Sequence, residues 1–159
     1  MRASDRNKYV FSTEIFDREI TPFLNRHVVE HYYFTYIARS KDGGVYKVGF
    51  SRNPTKRAKS FSYAYRQFGL EVTHFLEGNL EYGLLCSISR AGAKAALPEY
   101  TRSRRREAFY LKDEDAEHII KVCKFKPISE FDEVKFAELH NQETKAFFER
   151  CLALEREHE

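Results

Sequence analysis

No apolar run in the 159-residue chain approaches the length needed to span a bilayer, about 20 residues. The opening Met1-Arg2-Ala3-Ser4-Asp5-Arg6 leads into no signal-like apolar stretch. Cysteine is scarce: Cys86, Cys123 and Cys151 are odd in number, widely spaced and form no C-x-x-C pair. The six histidines are not at metal-ligand spacing either, which argues against a structural zinc or a disulfide framework. There is no internal repeat and no low-complexity linker. What is present, 42% hydrophobic and 32% charged residues, suits a globular domain with its own core. The expectation is a soluble, intracellular protein.

The net charge of +3 conceals a polarity along the chain. Arg39 to Arg66 holds eight basic residues against one acid, Asp42, and Arg102-Ser103-Arg104-Arg105-Arg106 adds a second basic run. Pro127 to Glu159 reverses the balance, with nine acids and four bases. A basic middle beside an acidic tail fits a surface for a polyanion, and equally a solvated charged face.

Local patterns predict the order β-β-α-β-α-β-α, preceded by a short helix from Thr21-Pro22 to Glu30. Tyr32 to Ala38 is aromatic and β-branched, Lys41-Asp42-Gly43-Gly44 has turn chemistry, and Val45 to Phe50 is a second strand. Asn53-Pro54 predicts a helix start running to about Gln67. Leu70 to Leu76 reads as a strand, Asn79 to about Ala96 as a helix, Phe109-Tyr110-Leu111 as a strand, and Glu114 to Cys123 as a helix capped by Asp113. Asp132 to Glu157 is an amphipathic helix whose apolar stripe includes Val134, Phe147, Phe148, Cys151, Leu152 and Leu154, and needs covering. The fold class is α/β in the α+β sense: a small three- to four-stranded, mainly antiparallel sheet flanked by helices. The division is residues 1–30 as an N-terminal extension, 31–125 as the core and 126–159 as the C-terminal helix.

A turn centred on Gly43-Gly44 pairs Ala38 with Gly49, whereas one centred on Asp42-Gly43 pairs Ala38 with Lys47 and Tyr36 with Gly49. Either register puts Tyr36, Ala38, Lys47, Gly49 and Ser51 on one face, because side chains alternate with period two. That face is expected to be exposed, beside a helix start bearing Lys56 and Arg57. Cations there would neutralise phosphodiester oxygens, and a phenol would take a proton from water.

Phe34-Thr35-Tyr36-Ile37, Lys47-Val48-Gly49-Phe50-Ser51, Asn53-Pro54-Thr55-Lys56-Arg57 and Glu107-Ala108-Phe109 together resemble the GIY-YIG endonuclease domain. The likeness covers 80 to 90 residues and is nearest to the subgroup with lysine in place of the second-motif tyrosine. It implies Tyr36 as the group that activates or orients water. Lys47 would favour the phenolate or contact the phosphate. Gly49 would permit close approach, and Arg57 would grip the scissile phosphate through its planar fork. Glu107 would hold one divalent ion, Mg²⁺ or Mn²⁺. Further nucleic-acid contacts fall to Ser51, Arg52, Lys56, Arg104, Arg105 and Arg106. The implied reaction is phosphodiester hydrolysis in DNA, with RNA as the alternative substrate, leaving a 5′-phosphate and a 3′-hydroxyl.

Phe34 replaces the usual glycine, no histidine follows the second motif, and the spacing before the glutamate is long. Glu99 and Glu81 are fallback ligands, although Glu81 is expected to face solvent. The competing expectation is a binding or inhibitory protein that keeps the fold and does not cut. The terminal helix suggests a homodimer, and the family suggests the cytoplasm of a bacterial or phage-infected cell.

Overall fold

The computed structural model describes residues 10–61, 63–96 and 107–158. Helix α1 is Thr13–Asn25. Ser12 starts it, its hydroxyl accepting from the Ile15 backbone N–H at 3.2 Å and so satisfying one orphan donor of the first turn. The helix thus begins earlier than Pro22, which lies exposed in its last turn rather than its first. Phe16 and Ile20, four residues apart and fully buried, fix the face turned inward.

Strands β1 (Phe34–Ser40) and β2 (Val45–Ser51) form the central hairpin. Tyr36 pairs with Gly49 and Ala38 with Lys47, the register of the Asp42-Gly43 turn. Gly43 and Gly44 both have positive φ, 78° and 85°, which residues bearing a Cβ adopt only at a cost. Short helices α2 (Pro54–Arg57) and α3 (Tyr63–Arg66) follow, joined through a 3₁₀ turn over Ala58–Ser60. The single helix expected there is interrupted. Ser60 Oγ donates to the Arg57 carbonyl at 2.9 Å, one of the local side-chain bonds that compete with helix continuation.

Next come β3 (Leu70–Glu77), α4 (Glu81–Arg90), β4 (Lys94–Ala95), β5 (Ala108–Tyr110), α5 (Asp113–Cys123), β6 (Lys126–Pro127) and α6 (Glu133–Glu157). The helix expected up to Ala96 ends at Arg90, and Gly92 with φ 102° turns the chain back. The sheet order is β4-β5-β2-β1-β3-β6, and every neighbouring pair is antiparallel. The fold is therefore α+β, with six strands instead of three or four. The two edge strands are two residues each, too short for periodicity to reveal. No helix among the described residues is long and apolar enough to cross a membrane.

Both sheet faces are covered. Ile37, Tyr46 and Val48 join Phe16 and Ile20 of α1, Leu84 and Ile88 of α4, and Ile119 of α5. On the other face, Tyr36 and Ala38 lie with Phe61, Leu70 and Ala108, and Tyr65 and Phe68 pack against this group. The face expected to be exposed is thus buried, because the interrupted segment after α2 folds back over it.

Phe34 explains how α6 is attached. Its ring meets Phe131 at 5.1 Å and Phe136 at 4.9 Å, centroid to centroid, in edge-on contacts. Asp132 caps α6 by accepting from the Lys135 N–H at 3.0 Å. A glycine at position 34 would remove this anchor.

Candidate functional site

Alternation along the hairpin brings Tyr36, Lys47 and Gly49 together from adjacent strands. Lys47 Nζ donates to Tyr36 Oη at 2.9 Å. Gly49 directly opposes Tyr36, and a Cβ built on it would collide with the phenol oxygen and ring carbons. The glycine is therefore a spatial requirement of the tyrosine. Glu107 enters from the residue before β5, where its carbonyl accepts the Val48 N–H at 2.8 Å. Its carboxylate approaches Lys47 Nζ at 3.6 Å.

Lys47 is only 5% exposed. Besides the phenol and the carboxylate, its ammonium meets the rings of Tyr36, Phe61 and Tyr65 at 5.1, 5.3 and 5.3 Å from their centroids. Aromatic faces carry negative quadrupole density and replace part of the lost hydration. Tyr65 reads from the sequence as a residue of a basic helix, expected to be packed or exposed rather than stacked on a base, and neither it nor Phe61 points from sequence alone to an aromatic box around Lys47. Tyr36 is 0% exposed, while the Glu107 side chain keeps 17% of its surface.

Arg57 stands exposed on α2, and its guanidinium makes no hydrogen bond or ion pair with a described residue. Arg52 is also exposed, stacked 4.2 Å above the Tyr32 ring. Ser51 Oγ is occupied by the Asn53 backbone N–H at 3.1 Å. Lys56 turns toward α6 and pairs with Glu133 at 3.3 Å. Asn53 also donates to Glu133, at 2.7 Å, so the start of α2 is tied to the start of α6. Arg104, Arg105, Arg106 and the fallback ligand Glu99 lie outside the described residues. Glu81, expected to face solvent, is 7% exposed at the start of α4.

Asp113 was expected to cap α5, but its side chain reaches across to the hairpin. The cap position is Lys112, which makes no side-chain cap bond. Asp113 instead accepts from Arg39 Nη2 at 2.9 Å and from the Tyr46 hydroxyl. The Arg39 bond, followed by the Tyr46 bond, holds its carboxyl below the usual range. Burial, reinforced by the bond to Asp113, pushes the Tyr46 phenol up to about 12. Tyr46 faces away from Tyr36 across the sheet, so this trio fastens α5 to the hairpin.

The described residues contain no group of three or more His, Cys, Asp or Glu side chains able to enclose a metal. A divalent ion at this site would rest on Glu107 and keep most of its shell as water, the usual habit of Mg²⁺. The residual exposure of the Glu107 side chain fits that arrangement.

Comparison with family models finds no match, and neither the curated proteins nor the solved structures yield one.

Proposed function

We propose that the chain is a divalent-metal-dependent endonuclease of the GIY-YIG type, hydrolysing phosphodiester bonds of DNA. The observation that carries this reading is the Lys47 ammonium set between a phenol oxygen at 2.9 Å and a carboxylate at 3.6 Å. Tyr36 receives the proton of the attacking water, and Lys47 fixes the phenol oxygen so that charge developing on it meets a fixed cation. Arg57, unengaged by any described residue, is available to hold two phosphate oxygens at once. Glu107 would hold the ion, whose contribution is Lewis-acid stabilisation of the phosphate. Because Tyr36 is buried, the cover of Phe61 and Tyr65 must open before a phosphodiester reaches it.

That burial favours a second reading, a nucleic-acid-binding protein that keeps the arrangement and does not cut. Supercoiled plasmid incubated with Mg²⁺ or Mn²⁺, with and without chelator, separates the two. Metal-dependent nicking that falls ~10²–10³-fold in Glu107→Gln and in Arg57→Ala supports the nuclease. Wild-type protein that shifts DNA on a gel yet nicks it under neither metal supports the binder. Cutting by Glu107→Gln at the wild-type rate removes the metal assignment.

A further inference from the structure

A cavity of about 310 Å³ opens between the hairpin and the first turns of α6. Phe34 forms part of its lining. By strand alternation Phe34 shares the face of Tyr36 and lies about 7 Å further along β1. The cavity is thus the next recess along the chain from the candidate site. Its walls are aromatic, with Tyr32 on one side and Phe131 and Phe136 on the other. The Tyr32 ring carries the Arg52 guanidinium at 4.2 Å and the His140 ring at 4.5 Å.

Three polar side chains at this cavity are unspent. Arg52, His140 and Asn141 make no side-chain hydrogen bond or ion pair with any described residue, although Arg52 and His140 stack on Tyr32. Glu133 of the wall is already held by Asn53 and Lys56, and His31 of the wall by Glu77 and Glu143, each at 3.3 Å. Arg52, which pairs with no described acid, leaves a cation at the mouth of an aromatic recess. Apolar aromatic walls, amide and imidazole groups without polar partners, and one cation together match a planar heterocycle attached to a phosphate. The volume stands at the small end of ligand pockets, which suits one base and not a base pair.

We infer that this cavity takes a single unstacked nucleobase, so that the preferred ligand is single-stranded nucleic acid. Phe136, 5% exposed and stacked on His31, backs the recess and offers no free face. The base lies against Phe131 and takes the place of the His140 ring on Tyr32, its edge reads Asn141, and the adjoining phosphate meets Arg52. Stacking accepts every base, because each has a π face, and the site therefore has weak sequence preference. This inference rests on the nucleic-acid reading of the neighbouring site, and its test is independent of cleavage.

The test is binding of the full chain, in chelator, to a short fluorescein-labelled oligothymidylate, measured by anisotropy. The same sugar-phosphate chain without bases and a duplex of equal length serve as comparisons. The abasic chain is expected to bind roughly 10-fold more weakly or worse, the scale of one lost stacked base. Asn141→Ala is expected to shrink that difference and Arg52→Ala to weaken both chains alike, neither altering the thermal melt because both positions are exposed. Equal binding of the abasic chain, tighter binding of the duplex, or an unchanged difference in Asn141→Ala overturns the inference. Base-dependent binding by a protein that never nicks DNA leaves the cavity standing and removes the nuclease. Nicking by a protein indifferent to bases does the reverse.

Discussion

Gly49→Ala places one methyl group where the Tyr36 ring already is. The added carbon would lie 2.8 Å from Tyr36 Cε1 and closer still to Cζ and the hydroxyl oxygen. The ring cannot retreat freely, because Tyr36 is fully buried and packs on Phe61 at 6.1 Å between centroids. Overpacking of this kind costs about 1–3 kcal/mol. For a chain of this length each kcal/mol shifts the melting temperature by about 2–4 °C, so a fall of roughly 2–12 °C is expected. Displacing the phenol also breaks its bond from Lys47, and any nuclease activity should drop with it. Circular-dichroism melts of wild type, Gly49→Ala, Tyr36→Phe and the double variant test the geometry. Tyr36→Phe removes the closest atom and leaves Cε1 in place, so the double variant should be less destabilised than the sum of the singles. The expected coupling is at least about 0.5 kcal/mol, as for residues in contact. Strict additivity, or a Gly49→Ala melt matching wild type, would refute the claim that the glycine makes room for the tyrosine.

Cys123 is 3% exposed and burial pushes its thiol up to about 12, whereas Cys86 and Cys151 are half-buried. A thiol reagent at mildly alkaline pH should therefore titrate two cysteines quickly and the third only on unfolding, and three fast equivalents would contradict this. Tyr46, raised to about 12, favours the folded state fully below the ordinary phenol range near ~10 and loses that contribution as pH rises toward its folded value. Ultraviolet titration should show a late phenol that disappears in Tyr46→Phe; its persistence in that variant would assign it elsewhere. Beyond Phe136, α6 exposes Phe147, Phe148, Leu152 and Leu154, each more than half accessible. Sedimentation is expected to give a homodimer that Phe148→Glu or Leu152→Glu converts to monomer, and wild-type monomer at micromolar concentration would exclude pairing through this face.

The hairpin was legible because its information is local. Turn glycines limited the register to two choices, and period-two alternation made the partition into faces independent of that choice. The terminal helix was legible for the same reason: Asp132 is a cap and the following pattern is helical throughout. The N-terminal helix was misplaced because Pro22 is a strong local signal, while the cap at Ser12 and the burial of Phe16 and Ile20 depend on a distant core. Asp113 shows the same limit. A cap-competent residue was captured by Arg39 and Tyr46, 74 and 67 positions away in sequence. Alternation told which side chains share a face, but not what lies over it.

That omission changes the meaning of Lys47. On an open surface a lysine needs no explanation, since hydration accommodates its charge. At 5% exposure the ammonium has lost most of its water, and burial of an ion costs several kcal/mol unless partners compensate. Tyr36, Glu107 and three aromatic faces supply that compensation, so removing one partner should disturb the others and the group behaves as a unit. An apolar residue of similar volume commonly serves a buried ion-pair position as well or better. Stability alone therefore gives little reason for an ammonium at position 47 beside a phenol and a carboxylate. The proposed proton transfer and phosphate chemistry would give one, and the same burial would then require the Phe61–Tyr65 cover to move first.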